Sequence, residues 1–319
     1  MTDNASEHSD QWTQKILSNL ANDYLKEKKR KRHWSVFFKL IFLVLFIFVI
    51  WKAWSSEKPT VVADAPHVAL IDIQGVISDD HYGGNADDIA KGLRSAYDNK
   101  KVKGIILRIN SPGGSAVQAD YVFNEILRLR ALYPEIPVYT VCTDVCASAA
   151  YYIASASDEI YANPSSLVGS IGVLFNGFGF TGTMDKLGID RRLLTSGQYK
   201  GFMDPFSPVN PIEEEHLQQL IDGVFEKFKQ SVLQGRGDRL QDSQEIFSGL
   251  FWNGADAKQL GLIDGFGSAG FVARDILETE VIVNYTVQPN YFSRLARELG
   301  LNIGSRIASQ IGLQPSGLQ

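Results

Sequence analysis

Cysteine is almost missing from this sequence: the 319 residues hold only Cys142 and Cys146. Two cysteines are too few for a disulfide framework or a four-cysteine zinc site. Histidine is scarce as well, with five residues and no HExxH pair, so a zinc-dependent hydrolase has no foothold. Neither sign of charge dominates: 31 Lys and Arg stand against 36 Asp and Glu, a formal net charge of -5, which argues against nucleic acid as a main partner. Internal repeats and low-complexity tracts are lacking too. What is present is a chain 45% hydrophobic and 21% charged, able to build a substantial core and unlike a disordered protein. Its length suits one large domain or two ordinary ones.

The basic charge is local. Lys26, Lys28, Lys29, Arg30, Lys31 and Arg32 cluster just before the run 34–51, WSVFFKLIFLVLFIFVIW, in which Lys39 is the single charge. At 1.5 Å per residue this run spans about 27 Å, close to the hydrocarbon thickness of a bilayer. Trp34, Trp51 and Trp54 stand where indole rings favour headgroups, and Lys39 is near enough to one end to snorkel. A transmembrane signal anchor over 34–54 is therefore expected, with 1–33 cytoplasmic by the positive-inside rule and the rest outside. A cleaved signal peptide and a buried core helix are the alternatives. The small-residue site Ala63-Asp64-Ala65 lies far beyond the apolar run for the first, and the adjoining basic cluster is unusual for the second.

After a linker over 55–66, a globular region runs from about 67 to 280, followed by a less regular segment, 281–319, in which 293–309 has the spacing of an amphipathic helix. Strands are expected at 68–77, 102–109, 136–142, 159–162 and 170–175, and helices at 86–98, 117–132, 148–156 and 211–235. Strands 102–109 and 136–142 are continuous apolar runs of the doubly covered kind. Repeated βα units of this sort give an α/β fold with a mostly parallel sheet.

Three places can carry chemistry. Asn110 to Ser115 (NSPGGS) follows a strand and precedes a helix, so its glycine pair can offer backbone N–H groups to an anion or a polarised carbonyl; an ordinary turn reads the same way. Ser148 also lies between a buried strand and a helix, where a nucleophile would meet the helix dipole, but a serine N-cap would look identical. A base is then needed. His8 and His33 fall across the expected membrane from Ser148, His67 is at the linker boundary, His81 is in a polar loop, and His216 follows three glutamates. A neutral lysine can serve instead. Lys200, in SGQYKGF (196–202), has few charged neighbours, though a solvated surface lysine is its plainer reading.

Read together, GIILRINSPGGS (104–115), ASAAYYIA (147–154), GSIGV (169–173), SGQYKGF and GLFWNGADAKQLGLID (249–264) resemble the signal peptide peptidase A family in its short, single-domain form, over roughly 67–275. That family is related in fold to the ClpP and crotonase group. The resemblance implies a serine peptidase with a Ser-Lys dyad: Ser148 as nucleophile, Lys200 as general base, Gly114 and Ala149 as oxyanion-hole N–H donors, and Ser170 supporting the lysine. It implies no metal and no cofactor. Its expected substrates are released signal peptides and other small membrane-proximal peptides. Its expected partners are the membrane and further copies of the chain, in a homo-oligomeric ring, an octamer by analogy. The place implied is the bacterial inner membrane, single-pass, with the catalytic domain periplasmic. One departure stands out. The family's Ser-Gly-Gly is here Ser148-Ala149-Ala150, which keeps the N–H groups and adds two methyls. Related membrane peptidases of the SohB or stomatin-operon type, an idle peptide-binding scaffold and an acyl-CoA enzyme are the rival readings.

Two smaller expectations complete the reading. Aromatic residues of FNGFGF (175–180) are candidates for apolar pocket walls, with a plain place in the core as the alternative. Cys142 and Cys146, about 13 Å apart if 138–146 is fully extended, are read as buried free thiols that a bend at Thr143-Asp144 would bring closer.

Overall fold

The computed structural model describes residues 26, 28–48, 65–80 and 84–287. The segment up to residue 25, expected to be cytoplasmic, most of the expected linker and the expected helix 293–309 lie outside these residues. The described chain divides into two units, one holding residues 26–48 and the other 65–287.

In the first unit residues 28–48 are helical, and the large side chains from Trp34 to Phe48 are exposed. Trp34 packs on Phe37 and Phe38, each with ring centroids 5.7 Å away. Among the described residues no helix is long and apolar enough to cross a membrane. The expected span 34–54 continues past residue 48, beyond the described part of this helix.

The second unit is an α/β domain on an eight-stranded sheet. Its centre is β1 (His67–Gln74), β2 (Val102–Ser111) and β3 (Val138–Ala147), all parallel. β2 alternates its side chains between two cores. Ile105, Leu107 and Ile109 join the larger cluster, and Ile106 the smaller one on the other face. That double burial explains the unbroken apolar run in the sequence. β3 shares its outer edge between two strands in succession, β4 (Glu159–Ala162) along 139–142 and β5 (Leu167–Gly169) along 145–147. β6 (Phe251–Asn253) is antiparallel to β5, β7 (Gly265–Phe266) pairs with β4, and β8 (Ile282–Asn284) adds to the free side of β1.

Local chemistry sets where the helices begin. Asn85 accepts from the Asp88 N–H to open α1 (Ala86–Tyr97), and Ser115 accepts from the Gln118 N–H to open α2 (Ala116–Leu132). α3 (Ala149–Ala154) is short and wholly buried, and α4 (Thr181–Leu187) has no buried residue. α5 (Pro211–Arg236) starts on an Asn210 cap with Pro211 in its first turn and Glu213 and Glu214 at the positive end of its dipole. Its last residue, Arg236, is fully buried. The guanidinium donates to both Asp264 oxygens, at 2.7 and 3.0 Å, and to the Gly261 carbonyl at 2.7 Å, which satisfies a charge that would otherwise be costly to bury.

One sequence expectation is corrected. The strand expected at 170–175 is β5, which ends at Gly169, and the backbone from Ser170 onward is irregular. Ser170 has φ 53°, a left-handed conformation that breaks the strand, so the apolar letters that follow continue as an irregular connection, buried at Ile171 and exposed from Leu174 onward.

Candidate active site

The site is built where β2, β3 and β5 end. Ala147 of β3 pairs with Gly169 of β5, and the next residue of each strand is a serine, Ser148 and Ser170. Both serines have φ 53°. Such a conformation costs a residue with a β-carbon about 1–3 kcal/mol and persists only where surrounding contacts impose it. Here the Ser148 N–H donates to the Gly169 carbonyl at 2.8 Å and the Ser170 N–H to the Leu250 carbonyl at 2.7 Å. Ser148 precedes α3 but makes no capping hydrogen bond with its side chain. The plainer reading of this serine, a helix cap, is thereby removed, and its hydroxyl is left half-buried at a sharp strand-to-helix turn of the kind that presents a nucleophile.

The glycine loop lies directly against it. A β-carbon at Gly113 would stand 2.7 Å from the Ser148 Cβ and 3.1 Å from the Ala149 nitrogen, so only glycine permits this approach. Gly114 forms a parallel bridge with Ile77. The Ile77 N–H donates to the Gly113 carbonyl and the Ser115 N–H to the Ile77 carbonyl, at 2.9 and 2.8 Å. In this pattern the partner's bonds go to the two flanking residues, so the N–H of Gly114 itself faces away from Ile77. Ala149 begins α3, and its N–H has no partner within the helix. Gly114, Ser148, Ala149 and Ser170 line one cleft of about 570 Å³. Two N–H groups beside a serine hydroxyl can stabilise the oxyanion of an acyl-transfer intermediate.

Lys200 is elsewhere. It is exposed in the turn around 198–203, where its N–H donates to the Gly197 carbonyl at 3.2 Å, and it does not line the cleft that holds Ser148. Among the described residues no lysine, histidine or carboxylate lines that cleft. His33 donates to the Lys29 carbonyl, His67 is buried between the Ala65 carbonyl and the Tyr285 hydroxyl, and His216 stands edge-on to Phe202. His8 and His81 lie outside the described residues. Among the described residues the one titratable group on the cleft wall is Tyr152, whose phenol burial pushes well above its ordinary value and whose proton is committed to Asp120. Among the described residues of its own chain Ser148 therefore has no base at hand. Among the described residues no group of three His, Cys, Asp or Glu side chains is placed to hold a metal ion.

The expected aromatic walls are also corrected. Phe175, Phe178 and Phe180 line a different cavity, of about 690 Å³, together with Leu193, Met203 and Pro205. The cleft walls come instead from Tyr152, Leu174 and Phe228. Tyr152 lies in the motif that marked Ser148, one helical turn later. Phe228 is 80 residues downstream and carried no local signal. The cysteines are buried and free. Ile109 and Ser111 of β2 pair with Cys142 and Cys146 of β3, so residues 143–145 bulge out opposite Asn110 alone and bring the two thiols towards each other on one face. Burial pushes the Cys146 thiol well above its usual value, and the neighbouring Cys142 adds to the shift.

The sequence matches the family model described as Peptidase family S49 over residues 130–279 and that described as Clp protease over 68–168. A putative protease of Methanocaldococcus jannaschii is 32% identical over 212 residues, which are 65% of this chain and 67% of that protein. The chain belongs to peptidase family S49. A putative signal peptide peptidase SppA of Enterococcus faecium is 29% identical over 63% of this chain and 60% of its own length. A Brucella abortus protein described as Na(+)/H(+) antiporter NhaA is 38% identical over 69% of this chain, but the match takes in only 30% of that protein. The mostly parallel sheet is consistent with the Clp protease match, which covers β1 to β5 up to Val168 and includes the whole Ser148 turn.

Proposed function

We propose that this S49 protein is a membrane-anchored serine endopeptidase that uses Ser148 and Lys200 as a dyad and degrades released signal peptides and similar small peptides near the membrane. The observation that carries the reading is Ser148 itself, held left-handed at a strand-to-helix turn, free of any capping role and flanked by the Gly114 and Ala149 N–H groups.

Neutral Lys200 takes the proton from the Ser148 hydroxyl as Oγ bonds to the substrate carbonyl carbon. The carbonyl electron pair moves to oxygen, where the Gly114 and Ala149 N–H groups hold it, each such donor being worth about 3–4 kcal/mol in the transition state. The carbon–nitrogen bond then breaks, and the leaving amine takes the proton from Lys200. Water next gives a proton to Lys200 and attacks the acyl carbon; Ser148 leaves and recovers its proton. Ser170, across the strand ends from Ser148, is the group to orient the lysine amine. An exposed Lys200 and a cleft with no base among the described residues favour a dyad shared between protomers, within the homo-oligomeric ring that the family resemblance implies. The exposed apolar side chains of the helix 28–48 and the basic residues at its start favour anchoring in the inner membrane, with the domain outside the cytoplasm.

A serine-directed acylating inhibitor tests this. Ser148 is expected to carry the label in the wild-type protein, and Lys200→Ala to lose it while remaining folded. Labelling that persists in Lys200→Ala removes the lysine from the mechanism, and no label in the wild type removes the peptidase reading.

A further inference from the structure

Beneath the cleft lies a polar network that the reaction steps above do not use. Tyr152 is one turn along α3 from Ser148, and its N–H donates to the Ser148 carbonyl at 3.0 Å. Tyr152 lines the cleft and is 1% exposed. Phe228 of α5 stacks on it nearly parallel, at 9° and 4.8 Å between centroids, and Phe123 of α2 meets it edge-on at 5.3 Å. The hydroxyl lies 2.6 Å from Asp120 of α2 and 2.8 Å from Ser231 of α5. A carboxylate only accepts, so the phenol proton goes to Asp120 and the Ser231 hydroxyl donates to the phenol oxygen. Asp120 is further held by Lys227 at 3.4 Å. One side chain thus joins three helices, with a stacked face, an edge-on aromatic neighbour and a hydrogen-bonded tip.

We infer that Tyr152 determines the depth of the pocket that receives the substrate side chain beside the cleaved bond, with Asp120 and Ser231 as positioning residues that keep its ring from swinging aside. This rests on the peptidase reading. The neighbouring wall is apolar, from Leu174, Phe228 and Ala149, the residue that stands in place of the first glycine of the Ser-Gly-Gly pattern noted above. A rigid aromatic floor with that added methyl favours compact apolar side chains over large aromatic ones. Apolar pockets discriminate by size over roughly 10- to 200-fold. A phenylalanine at 152 would keep the stacking but lose the tie, and it would leave the Asp120 and Ser231 groups without their partner.

The test uses the full chain in detergent and peptides that differ only at the residue before the cleaved bond: alanine, leucine, phenylalanine or tryptophan. Wild type is expected to favour alanine and leucine over tryptophan in kcat/KM by at least about tenfold. Tyr152→Leu should raise the tryptophan-to-alanine ratio about tenfold, mostly through KM. Tyr152→Phe and Asp120→Leu should each raise it severalfold, and Asp120→Asn, which keeps an acceptor for the phenol, should restore most of the wild-type ratio. If Tyr152→Leu does not fold, the other three variants decide the matter. Unchanged ratios in an active enzyme overturn the inference alone. A wild type that neither cleaves these peptides nor labels at Ser148 overturns the peptidase reading, and the inference with it.

Discussion

Residues 67–171 and residues 172–227 follow one another in the same unit and differ in almost every physical respect. The first stretch holds β1 to β5, α1 to α3 and most of the core. In the second no residue is buried. Leu194 is 96% exposed, Leu174 82% and Phe178 75%. Its internal ties are few and local: the Arg191–Asp204 ion pair at 2.9 Å, the Phe180–Phe206 stack at 5.4 Å, and the Met203 N–H donating to Glu213. Apolar surface of this extent marks a face that meets something else. The proposed nucleophile is thus carried by a region that closes its own core, and the proposed base by one that does not. In the proposed assembly, the surface of one chain becomes the missing wall of the next.

The largest expected effect tests that division directly. Ser148→Ala and Lys200→Ala should each lower kcat about 10⁴-fold or more. Mixing the two inactive proteins under conditions that exchange subunits should recover activity, because some sites then combine an intact serine with an intact lysine. Mixed assemblies with no activity would return the dyad to a single chain. Next comes a contrast in stability. Phe123→Ala, in the closed region, should cost about 3–5 kcal/mol in denaturant unfolding. Leu194→Ser, in the open one, should change it by less than about 0.5 kcal/mol yet lower the assembled mass in sedimentation. A large unfolding cost for Leu194→Ser would mean that the second region has a core of its own. The smallest effect is on pH. Hydrogen bonds from Arg128 and then Arg94 hold Glu125 at about 2, below its ordinary 4.5. A carboxylate lowered on folding stabilises the native state above its unfolded value and ceases to as pH falls through the folded one. Thermal melts of wild type and Glu125→Gln should therefore differ above about pH 4.5 and converge towards pH 2.

Much of the closed region was legible in the sequence, because its signals are local. β4 fell on 159–162 as expected, and α1, α2 and α5 fell within a residue or so of expectation, since Asn85, Ser115 and Asn210 mark their starts. β6, β7 and β8, of two or three residues each, carry no periodicity to read and exist only through their partners. The misplaced strand at 170–175 has a single cause, the left-handed Ser170, which hydropathy does not register. At the site, the turn holding Ser148 and the glycine loop were legible because each sits at a strand end. The Phe228 wall, and the fact that Lys200 lies outside the cleft, were not, since both depend on how distant segments meet. FNGFGF looked like a pocket wall from its composition, and it is one, though of another cavity.

The bulge in β3 has a consequence for how this strand can change. Between Cys142 and Cys146, β3 advances four residues while β2 advances two, so the excess is even and both cysteines keep the same face. The loop is tied down by Asn110, which accepts from the Val145 N–H and donates to Asp144, and by Thr143, which donates to the Ile109 carbonyl. Side chains alternate along a strand with a period of two, so parity is what carries through to Ser148. Excising two residues here would leave an ordinary ladder with the serine still facing its cleft. Excising one would invert every side chain from Cys146 onward and turn Ser148 to the opposite side of the sheet. The strand leading to Ser148 thus has a reading frame, and its step is two residues.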